Sequence, residues 1–226
     1  MLSIVIPTLN AEATLAPVLA ALVPGAVEGL VREVIVADGG SADRTEEIAD
    51  AAGCQWIAAP RGRGPQLRAG AAVARSDWLL FLHADTVLTP GWIGEADRFL
   101  AHPGAHERAA AFRFALDAEG WRPRALEAMV RLRCSLFGLP YGDQGLLVSR
   151  RLYDRLGGFA ELPLMEDVEF VRRIGRGRLS MLPVRAVTSA TRYDRDGYLK
   201  RPARNLMCLG LYFAGMSPQR IARLYA

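Results

Sequence analysis

Two aspartates in this sequence follow apolar segments, a position in which a carboxylate needs a partner. Asp38 follows residues 33–37 and precedes two glycines, so it either stabilises a turn or accepts hydrogen bonds from a base or a ribose. Asp85 follows residues 77–82, and burying its charge is costly unless the carboxylate is paired or binds a metal ion. A divalent cation that takes its other ligands from phosphate oxygens meets this need. His83 is a further candidate ligand, although a histidine beside a strand is equally well satisfied by the core.

Two further pairs of charged residues stand before helical segments. Glu166 and Asp167 either favour the positive end of a helix dipole or supply a general base, for which a carboxylate near an acceptor hydroxyl suffices. Arg61 and Arg63 alternate with glycines, but Leu67 stands where a G-x-G-x-x-G dinucleotide motif requires its third glycine. The two arginines still suit a ligand that carries phosphate, because their Gly-rich loop precedes a helix.

The segments that position these residues alternate between strands and helices. We expect strands at residues 2–6, 33–37, 54–58 and 77–82 and helices at 11–22, 42–51 and 61–75. Near-continuous apolar strands are typical of a parallel sheet that is covered by helices on both faces, with right-handed crossovers. Ligands bind such sheets outside the carboxyl ends of the strands. Thr8, Asn10, Asp38, Ser41 and Asp85 stand at those ends.

The second half of the chain is less regular. We expect strands at residues 110–116, 145–149 and 179–192 and helices at 121–137, 167–175 and 198–215. The sequence has no internal repeat, low-complexity tract or linker, and half-apolar composition is enough to fill a core. It therefore predicts one α/β domain with a doubly wound, mostly parallel sheet.

The composition excludes several classes of function. Lys200 is the single lysine among 28 basic residues, and it is not in the Gly-rich turn of a P-loop or in a kinase strand. The three cysteines are too far apart for a zinc ribbon. The net charge of +4 is spread widely and no nucleic-acid-binding signature accompanies it, so we expect no nucleic-acid partner. The longest uncharged stretches, residues 13–27 and 205–219, are shorter than the ~18–20 residues of a spanning helix, so we expect a soluble, cytoplasmic protein.

Four motifs in this order and spacing resemble those of the inverting family 2 glycosyltransferases, which have a GT-A-type fold. Residues 3–10 look like the family's opening strand with its Pro-x-x-Asn turn. Residues 36–43 look like its D-G-S-x-D loop, and residues 83–85 stand where the family has its D-x-D metal motif. Glu166 and Asp167 look like its E-D pair.

This resemblance implies inverting sugar transfer from a nucleoside diphosphate sugar to an unknown small-molecule or lipid-linked acceptor, assisted by Mn²⁺ or Mg²⁺. Asp167, with Glu166 beside it, would be the catalytic base, and Asp85 would bind the metal, with His83 as a weaker candidate. The nucleotide sugar would contact Pro7, Thr8, Asn10, Glu12, Asp38, Gly39, Arg61, Arg63 and Asp85. Asp143, Gln144 and Arg192 would face the sugar or the acceptor. The chain would divide into a nucleotide-binding half (1–88), a metal and acceptor half (89–200) and a C-terminal helical tail (201–226).

A narrower resemblance and two departures refine this expectation. Residues 81–86, 141–145 and 215–225 are similar to a small bacterial subgroup often labelled as glycosyltransferases of arsenosugar biosynthesis. His83 replaces the first aspartate of D-x-D, and residues 191–193 are the nearest counterpart of the family's Q-x-x-R-W. These departures keep open a non-catalytic nucleotide-sugar-binding module of the same fold. A nucleotidylyltransferase is disfavoured, because the first strand is not followed by that class's Gly-rich loop.

The C-terminal run of residues 205–216 is uncharged and lies beside basic Lys200, Arg201 and Arg204. Such a helix packs on its own domain or on a partner subunit, or it lies on a membrane surface and presents a lipid-linked or otherwise apolar acceptor. Peripheral membrane contact at the inner membrane face is therefore a second possibility for this tail.

Overall fold

The computed structural model of the protein describes residues 1–191, 193, 197–198 and 200–225. Its strands are β1 (Leu2–Thr8), β2 (Val31–Asp38), β3 (Gln55–Ala58), β4 (Trp78–Phe81), β5 (Thr86–Leu88), β6 (Ala109–Asp117), β7 (Leu146–Ser149) and β8 (Leu179–Ser189). Its helices are α1 (Glu12–Val27), α2 (Thr45–Ala51), α3 (Arg63–Val73), α4 (Trp92–Leu100), α5 (Trp121–Phe137), α6 (Arg150–Arg155), α7 (Glu166–Ile174), α8 (Lys200–Phe213) and α9 (Pro218–Tyr225).

The eight strands form one sheet in the order β3-β2-β1-β4-β7-β6-β8-β5. The pairs among β3, β2, β1 and β4 are all parallel, whereas β7 is antiparallel to both β4 and β6. Strand β8 runs parallel to β6, and β5 runs antiparallel to β8. The predicted α/β fold of GT-A type, with a mostly parallel sheet between helices, is therefore confirmed.

The parallel half forms because its strands are apolar on both faces. All residues of β1 and β4 are buried, as expected for strands covered by helices on either side. Helix α3 lies close on β1 because Gly70 has no side chain, and a Cβ atom there would collide with Val5. This close contact fixes the start of α3 beside the carboxyl end of β1.

Two elements between residues 86 and 100 were not predicted from the sequence. Strand β5 has three residues and exists through its pairing with β8, a long-range contact that no local pattern reveals. Helix α4 follows Gly91, which has a φ of 92°. Trp92 at its start is buried and donates a hydrogen bond to the carbonyl of Ala21. Tertiary packing therefore determines both elements more than propensity does.

Helices α5 and α8 cover opposite parts of the second half. Residues Leu126, Val130 and Cys134 of α5 pack with Phe114 and Leu116 of β6. Cys208 and Leu209 of α8 instead join the cluster that contains Phe170 and Val171 of α7. In the residues that the structure describes, no helix is both long and apolar enough to cross a membrane.

Candidate active site

A polar cavity of about 330 Å³ opens at the carboxyl ends of β1 and β4, beside the start of α3. We call it the strand-end cavity, and it is lined by Pro7, Thr8, Leu9, Asn10, Ala11, Thr14, Arg61, Gly62, Arg63, Gln66, His83, Ala84 and Asp85. It lies where ligands bind in open α/β sheets, since parallel strands end there together. Six of the nine residues predicted to contact a nucleotide sugar line this cavity: Pro7, Thr8, Asn10, Arg61, Arg63 and Asp85.

A second cavity adjoins the first, and we call it the carboxylate cavity. It is lined by Arg63, His83, Asp85, Tyr141, Gly142, Asp143, Leu164, Met165, Asp167, Val168, Thr188, Ser189, Tyr193 and Asn205. Arg63, His83 and Asp85 line both cavities, so the two cavities meet at these three residues.

Asp167 presents its carboxylate to the second cavity from the first turn of α7. Its Oδ2 accepts a hydrogen bond of 2.8 Å from the backbone N–H of Gly142, and its Oδ1 accepts one of 2.7 Å from the N–H of Val168. Two backbone donors therefore fix the orientation of this carboxylate. The remaining lone pairs are available to take a proton from a ligand hydroxyl.

Glu166 points the other way, although it is the neighbour of Asp167 in sequence. It is 1% exposed, and its Oε1 lies 2.9 Å from Nε of Arg63. Burial raises the pKa of Glu166 to about 7, against the opposing effect of Arg63. Glu166 therefore supports Arg63 from below, whereas Asp167 faces the cavity.

Two non-glycine residues with a left-handed backbone lie in these cavities. Asn10 has a φ of 51° and Met165 a φ of 66°, and they are the non-glycine residues with positive φ in the described part of the chain. Met165 directly precedes the Glu166–Asp167 pair and forms the N-terminal boundary of α7. Such conformations cost about 1–3 kcal/mol each, and they cluster at functional sites.

Asp143 is the third carboxylate near Asp167. Its Oδ1 is buried and has no hydrogen-bond partner among the residues that the structure describes. Burial raises the pKa of Asp143 to about 6; the nearby carboxylates of Asp167 and Asp85 add to this rise and Arg133 opposes it. A buried polar atom in this state points to a missing partner, such as a water, a ligand or an ion.

The donor set around Asp85 fits a divalent cation that is held mainly by its ligand. No group of three or more His, Cys, Asp or Glu side chains with metal-binding geometry occurs in the described ranges. Asp85 and the buried oxygen of Asp143 are hard donors of the type that Mn²⁺ and Mg²⁺ prefer. Nε2 of His83 is buried and packs against Gly142.

Three predicted nucleotide contacts, Asp38, Glu12 and Gly39, do not line either cavity in this structure, and their contact with a nucleotide stays a prediction. Asp38 is 2% exposed, and its two oxygens accept four hydrogen bonds from Thr8, Gly40 and Ser41. These bonds hold the loop after β2 and lower the pKa of Asp38 against the effect of burial. Its carboxylate therefore stabilises the turn.

Glu12 and Gly39 are the other two of these residues. Glu12 binds Arg44 through its Oε1, and this contact lowers the pKa of Glu12. Gly39 lies against the side-chain amide of Gln66, so that a Cβ atom at Gly39 would come within 3.1 Å of Nε2. Gly39 therefore packs on Gln66, a residue of the strand-end cavity, whereas Glu12 pairs with Arg44 at the surface.

Gln144, which is predicted to face the sugar or the acceptor, is 1% exposed and does not line the carboxylate cavity, so this role stays a prediction. Its amide nitrogen donates to the carbonyl of Phe112, and its oxygen accepts from the Arg133 guanidinium and the backbone N–H of Tyr141. It holds the segment that carries Gly142 and Asp143. Arg192 lies outside the described residues.

Sequence reasoning missed two residues that build the cavities. Gln66 is 3% exposed, and its amide donates to the carbonyls of Thr8 and Ala37 at the ends of β1 and β2. Gly142 supplies the N–H that orients Asp167, and it must be small because His83 packs against it. A polar side chain in the first turns of α3 and a glycine beside Asp143 were the available signals.

Comparison with known proteins agrees with this geometry. Residues 3–145 match the family model described as Glycosyl transferase family 2. Glucosyl-3-phosphoglycerate synthase of Mycobacterium tuberculosis is 35% identical over 95 residues, which cover 38% of this chain and 29% of that protein. The synthase of Mycolicibacterium paratuberculosis matches with the same identity and coverage. The match thus spans less than a third of the length of these relatives.

Solved structures share the fold over most of this chain. The Mycobacterium tuberculosis synthase in complex with Mn²⁺, uridine diphosphate and glucosyl-3-phosphoglycerate has a TM-score of 0.60 at 23% identity, and the alignment covers 83% of this chain and 70% of that one. Its complex with phosphoglyceric acid gives a TM-score of 0.62 at 24% identity, with the same coverage. Since the family model spans more than half of the 226 residues, the chain belongs to glycosyl transferase family 2.

Proposed function

We propose that the protein transfers a sugar from a nucleoside diphosphate sugar in the strand-end cavity to an acceptor hydroxyl in the carboxylate cavity. The observation that carries this proposal is the placement of Asp167. Its carboxylate is oriented by the N–H of Gly142 and lies in a cavity that joins the strand-end cavity through Arg63, His83 and Asp85. The carboxylate that would act as the base and an arginine that would bind phosphate therefore line the same cavity.

The donor would bind with its nucleoside near β1 and its diphosphate toward Arg63 and Asp85. The lining of the strand-end cavity includes Pro7, Thr8, Asn10, Arg61 and Arg63. Guanidinium groups suit the diphosphate, because they donate several charge-assisted hydrogen bonds to phosphate oxygens. We propose uridine as the nucleoside, since the structurally similar synthase is known in complex with uridine diphosphate.

Asp167 would act as the general base of a single displacement. Its carboxylate takes the proton of the acceptor hydroxyl, and the electron pair of that oxygen forms a bond to the anomeric carbon. The bond from this carbon to the diphosphate oxygen breaks on the opposite face, and its electron pair leaves with the nucleoside diphosphate. One such displacement inverts the configuration and needs no covalent intermediate.

Arg63 would stabilise the leaving diphosphate from a fixed position. Its Nε is held at 2.9 Å from the buried Glu166, so its orientation does not depend on the ligand. Donors that are fixed before the reaction stabilise developing charge better than mobile ones. A Mn²⁺ or Mg²⁺ ion bound by Asp85, when present, would supply further positive charge to the same phosphate oxygens. Asp143 and His83 are the side chains next to that position.

The acceptor and the cellular setting belong to the same proposal. The similar synthase is known in complex with phosphoglyceric acid, a small acidic compound. Three short segments, residues 81–86, 141–145 and 215–225, make the chain similar to the arsenosugar-labelled subgroup. This similarity does not identify the acceptor. A cytoplasmic location, and contact of the C-terminal helix with a membrane surface, remain predictions.

Nucleotide binding and donor consumption together test the proposal. We expect one of the UDP-, GDP- and dTDP-sugars to raise the melting temperature of the protein, more strongly with Mn²⁺ than without it. The same donor, carrying a radiolabelled sugar, should then be consumed with release of the nucleoside diphosphate. Binding without any consumption, in the presence of cell-extract acceptors, would instead support the non-catalytic nucleotide-sugar-binding module.

A further inference from the structure

An apolar groove of about 460 Å³ runs between α5 and α8 and opens into the carboxylate cavity. Most of its lining is apolar: Leu126, Met129, Val130, Leu132, Leu136, Phe137, Pro202, Ala203, Leu206 and Leu209. Several of these side chains are more than half exposed, including Leu132 at 57%, Phe137 at 63% and Leu206 at 69%. Contiguous exposed apolar surface of this kind marks a binding site more often than chance packing.

The groove exists because its two helices are anchored on different parts of the molecule. Helix α5 packs through Leu126 and Val130 on β6, whereas α8 packs through Cys208 and Leu209 on α7. The guanidinium of Arg172 on α7 also lies over the ring of Phe213, at 4.9 Å from its centroid. Among the described residues, the two helices therefore face each other across a groove.

The groove and the carboxylate cavity share four residues: Tyr141, Asp143, Tyr193 and Asn205. The charged side chains in the described lining of the groove, Asp143 and Arg133, both lie near this junction, since Arg133 packs on the ring of Tyr141 at 3.4 Å. Polarity is thus concentrated at the catalytic end and is absent from the walls farther along the two helices. A single ligand that spans both spaces would need a polar head and an apolar tail.

We infer that the acceptor is an amphiphile whose hydroxyl-bearing head lies at Asp167 and whose apolar tail lies in the groove. This inference rests on the proposed function and names the substrate class of the same site. The occupant is assigned by continuity, because the groove opens onto Asp143 beside the proposed base and on the side away from the strand-end cavity. A cleft of this size also falls within the range of small-ligand sites, about 300–1,000 Å³.

The test measures how binding depends on tail length, with n-butyl, n-hexyl and n-octyl β-D-glucosides as probes. Titration calorimetry below the micelle concentrations, with saturating UDP and Mn²⁺, gives the dissociation constants. We expect affinity to rise with each added methylene, by up to about 4-fold when it is fully buried. Equal affinity for the butyl and octyl compounds would overturn the inference.

Two variants and a matched control assign the effect to the groove. Leu206→Gln and Leu132→Gln each place an amide in the groove wall, and we expect each to weaken octyl glucoside binding at least 5-fold with butyl glucoside binding little changed. Val27→Gln, at an 81% exposed position on α1 outside the groove, should leave both unchanged. The UDP affinity of all three variants should stay at the wild-type value, which shows that they fold. If Leu206→Gln and Leu132→Gln keep wild-type octyl glucoside affinity, the groove is not the tail site.

Two further measurements test whether a membrane or a second copy of the chain covers the groove instead. They also show whether the acceptor is a lipid or a free small amphiphile. Flotation with phosphatidylglycerol–phosphatidylcholine vesicles that depends on Leu206, without any tail-length dependence of glucoside binding, would make this face a membrane-docking surface and overturn the inference. Self-association by light scattering that depends on Leu206, again without tail-length dependence, would overturn it in favour of a second copy. If glucoside affinity rises with tail length and the protein also floats with vesicles, the acceptor is a lipid. If affinity rises with tail length and the protein does not float, the acceptor is a free small amphiphile. Failure of donor consumption with tail-length dependence intact would refute the proposed function alone.

Discussion

The carboxylate cavity has two unlike neighbours. On one side the strand-end cavity is built by the ends of β1 and β4 and the start of α3, and it is polar. On the other side the groove is built by two helices, and it is apolar except at its junction. Hydrogen-bonded strand pairs of the sheet hold the polar side. The groove lies between two helices, of which α5 is held by side-chain packing on β6 and by hydrogen bonds from Arg176 to its last turn. The difference teaches that the proposed site joins a surface that suits phosphates to a surface that suits apolar groups.

The largest expected effect is on kcat, and it concerns Asp167, the proposed base. Asp167→Asn keeps the size of the side chain but removes its ability to take a proton, so kcat for donor consumption should fall about 10²–10⁴-fold. The affinity for UDP, measured by titration calorimetry, should stay within about 2-fold, because the strand-end cavity is untouched. An Asp167→Asn variant that turns over at the wild-type rate would show that this carboxylate is not the base.

The next prediction concerns Asp85, which lines the polar strand-end cavity but not the apolar groove. Its replacement should change UDP binding and leave glucoside binding unchanged. Asp85→Ala removes the hard donor that lines both cavities, so UDP binding in the presence of Mn²⁺ should weaken at least 10-fold. Without Mn²⁺ the variant and the wild type should bind UDP almost equally, and octyl glucoside binding should not change. Equal loss of UDP affinity with and without Mn²⁺ would indicate a structural role for Asp85 and no metal.

A smaller effect on kcat is expected at Gly142, which lines the carboxylate cavity. Gly142→Ala places a methyl group against His83 and displaces the N–H that orients Asp167, so kcat should fall about 10-fold, since small misplacements of reacting groups are costly. UDP affinity should change little. The matched control is Gly94→Ala on α4, where an added Cβ meets open space, and it should have wild-type kcat. Equal kcat for both variants would argue against the orienting role of this N–H.

The smallest expected effect is on stability. It concerns Glu166, which is buried and pairs with Arg63. The pKa of Glu166 is raised by burial to about 7, from an ordinary value of 4.5. Between these two pH values the folded state binds more protons than the unfolded state, so Glu166 makes stability fall as pH rises. Glu166→Gln removes this titration, and the melting temperature should decline less steeply from pH 4.5 to 7. Glu161→Gln, at an exposed position, should keep the wild-type slope, and a wild-type slope in Glu166→Gln would refute the assignment.

The sequence predicted the polar region better than the apolar one, for physical reasons. Pro7, Asn10 and Asp85 follow apolar strands, and the carboxyl ends of parallel strands meet at one edge, so a local pattern was enough to place them. The sequence left two roles open for Asp38, because its inward orientation depends on hydrogen bonds that form only when the loop closes on Thr8. Burial of Gln144 likewise depends on the position of Arg133, eleven residues away.

The sequence did not predict the groove, although it predicted the two helices that form it. The apolar residues of α5 and α8 were identified as parts of amphipathic or apolar helices, and a helix pattern does not say whether its apolar face is filled by the same chain. The groove in the described part of the chain depends on the separate anchoring of the two helices on β6 and α7. Helix α4 and strand β5 escaped prediction for a related reason, since long-range packing forms them.

The anomeric configuration of the product tests the central claim most directly. Donor consumption by the wild-type protein, followed by proton NMR from the first minutes with a UDP-α-sugar, reports which anomer is released or transferred. A single displacement assisted by Asp167 predicts that the first product has the β configuration. A product that appears first in the α configuration would contradict the account, because it requires a second displacement or a different nucleophile in the carboxylate cavity.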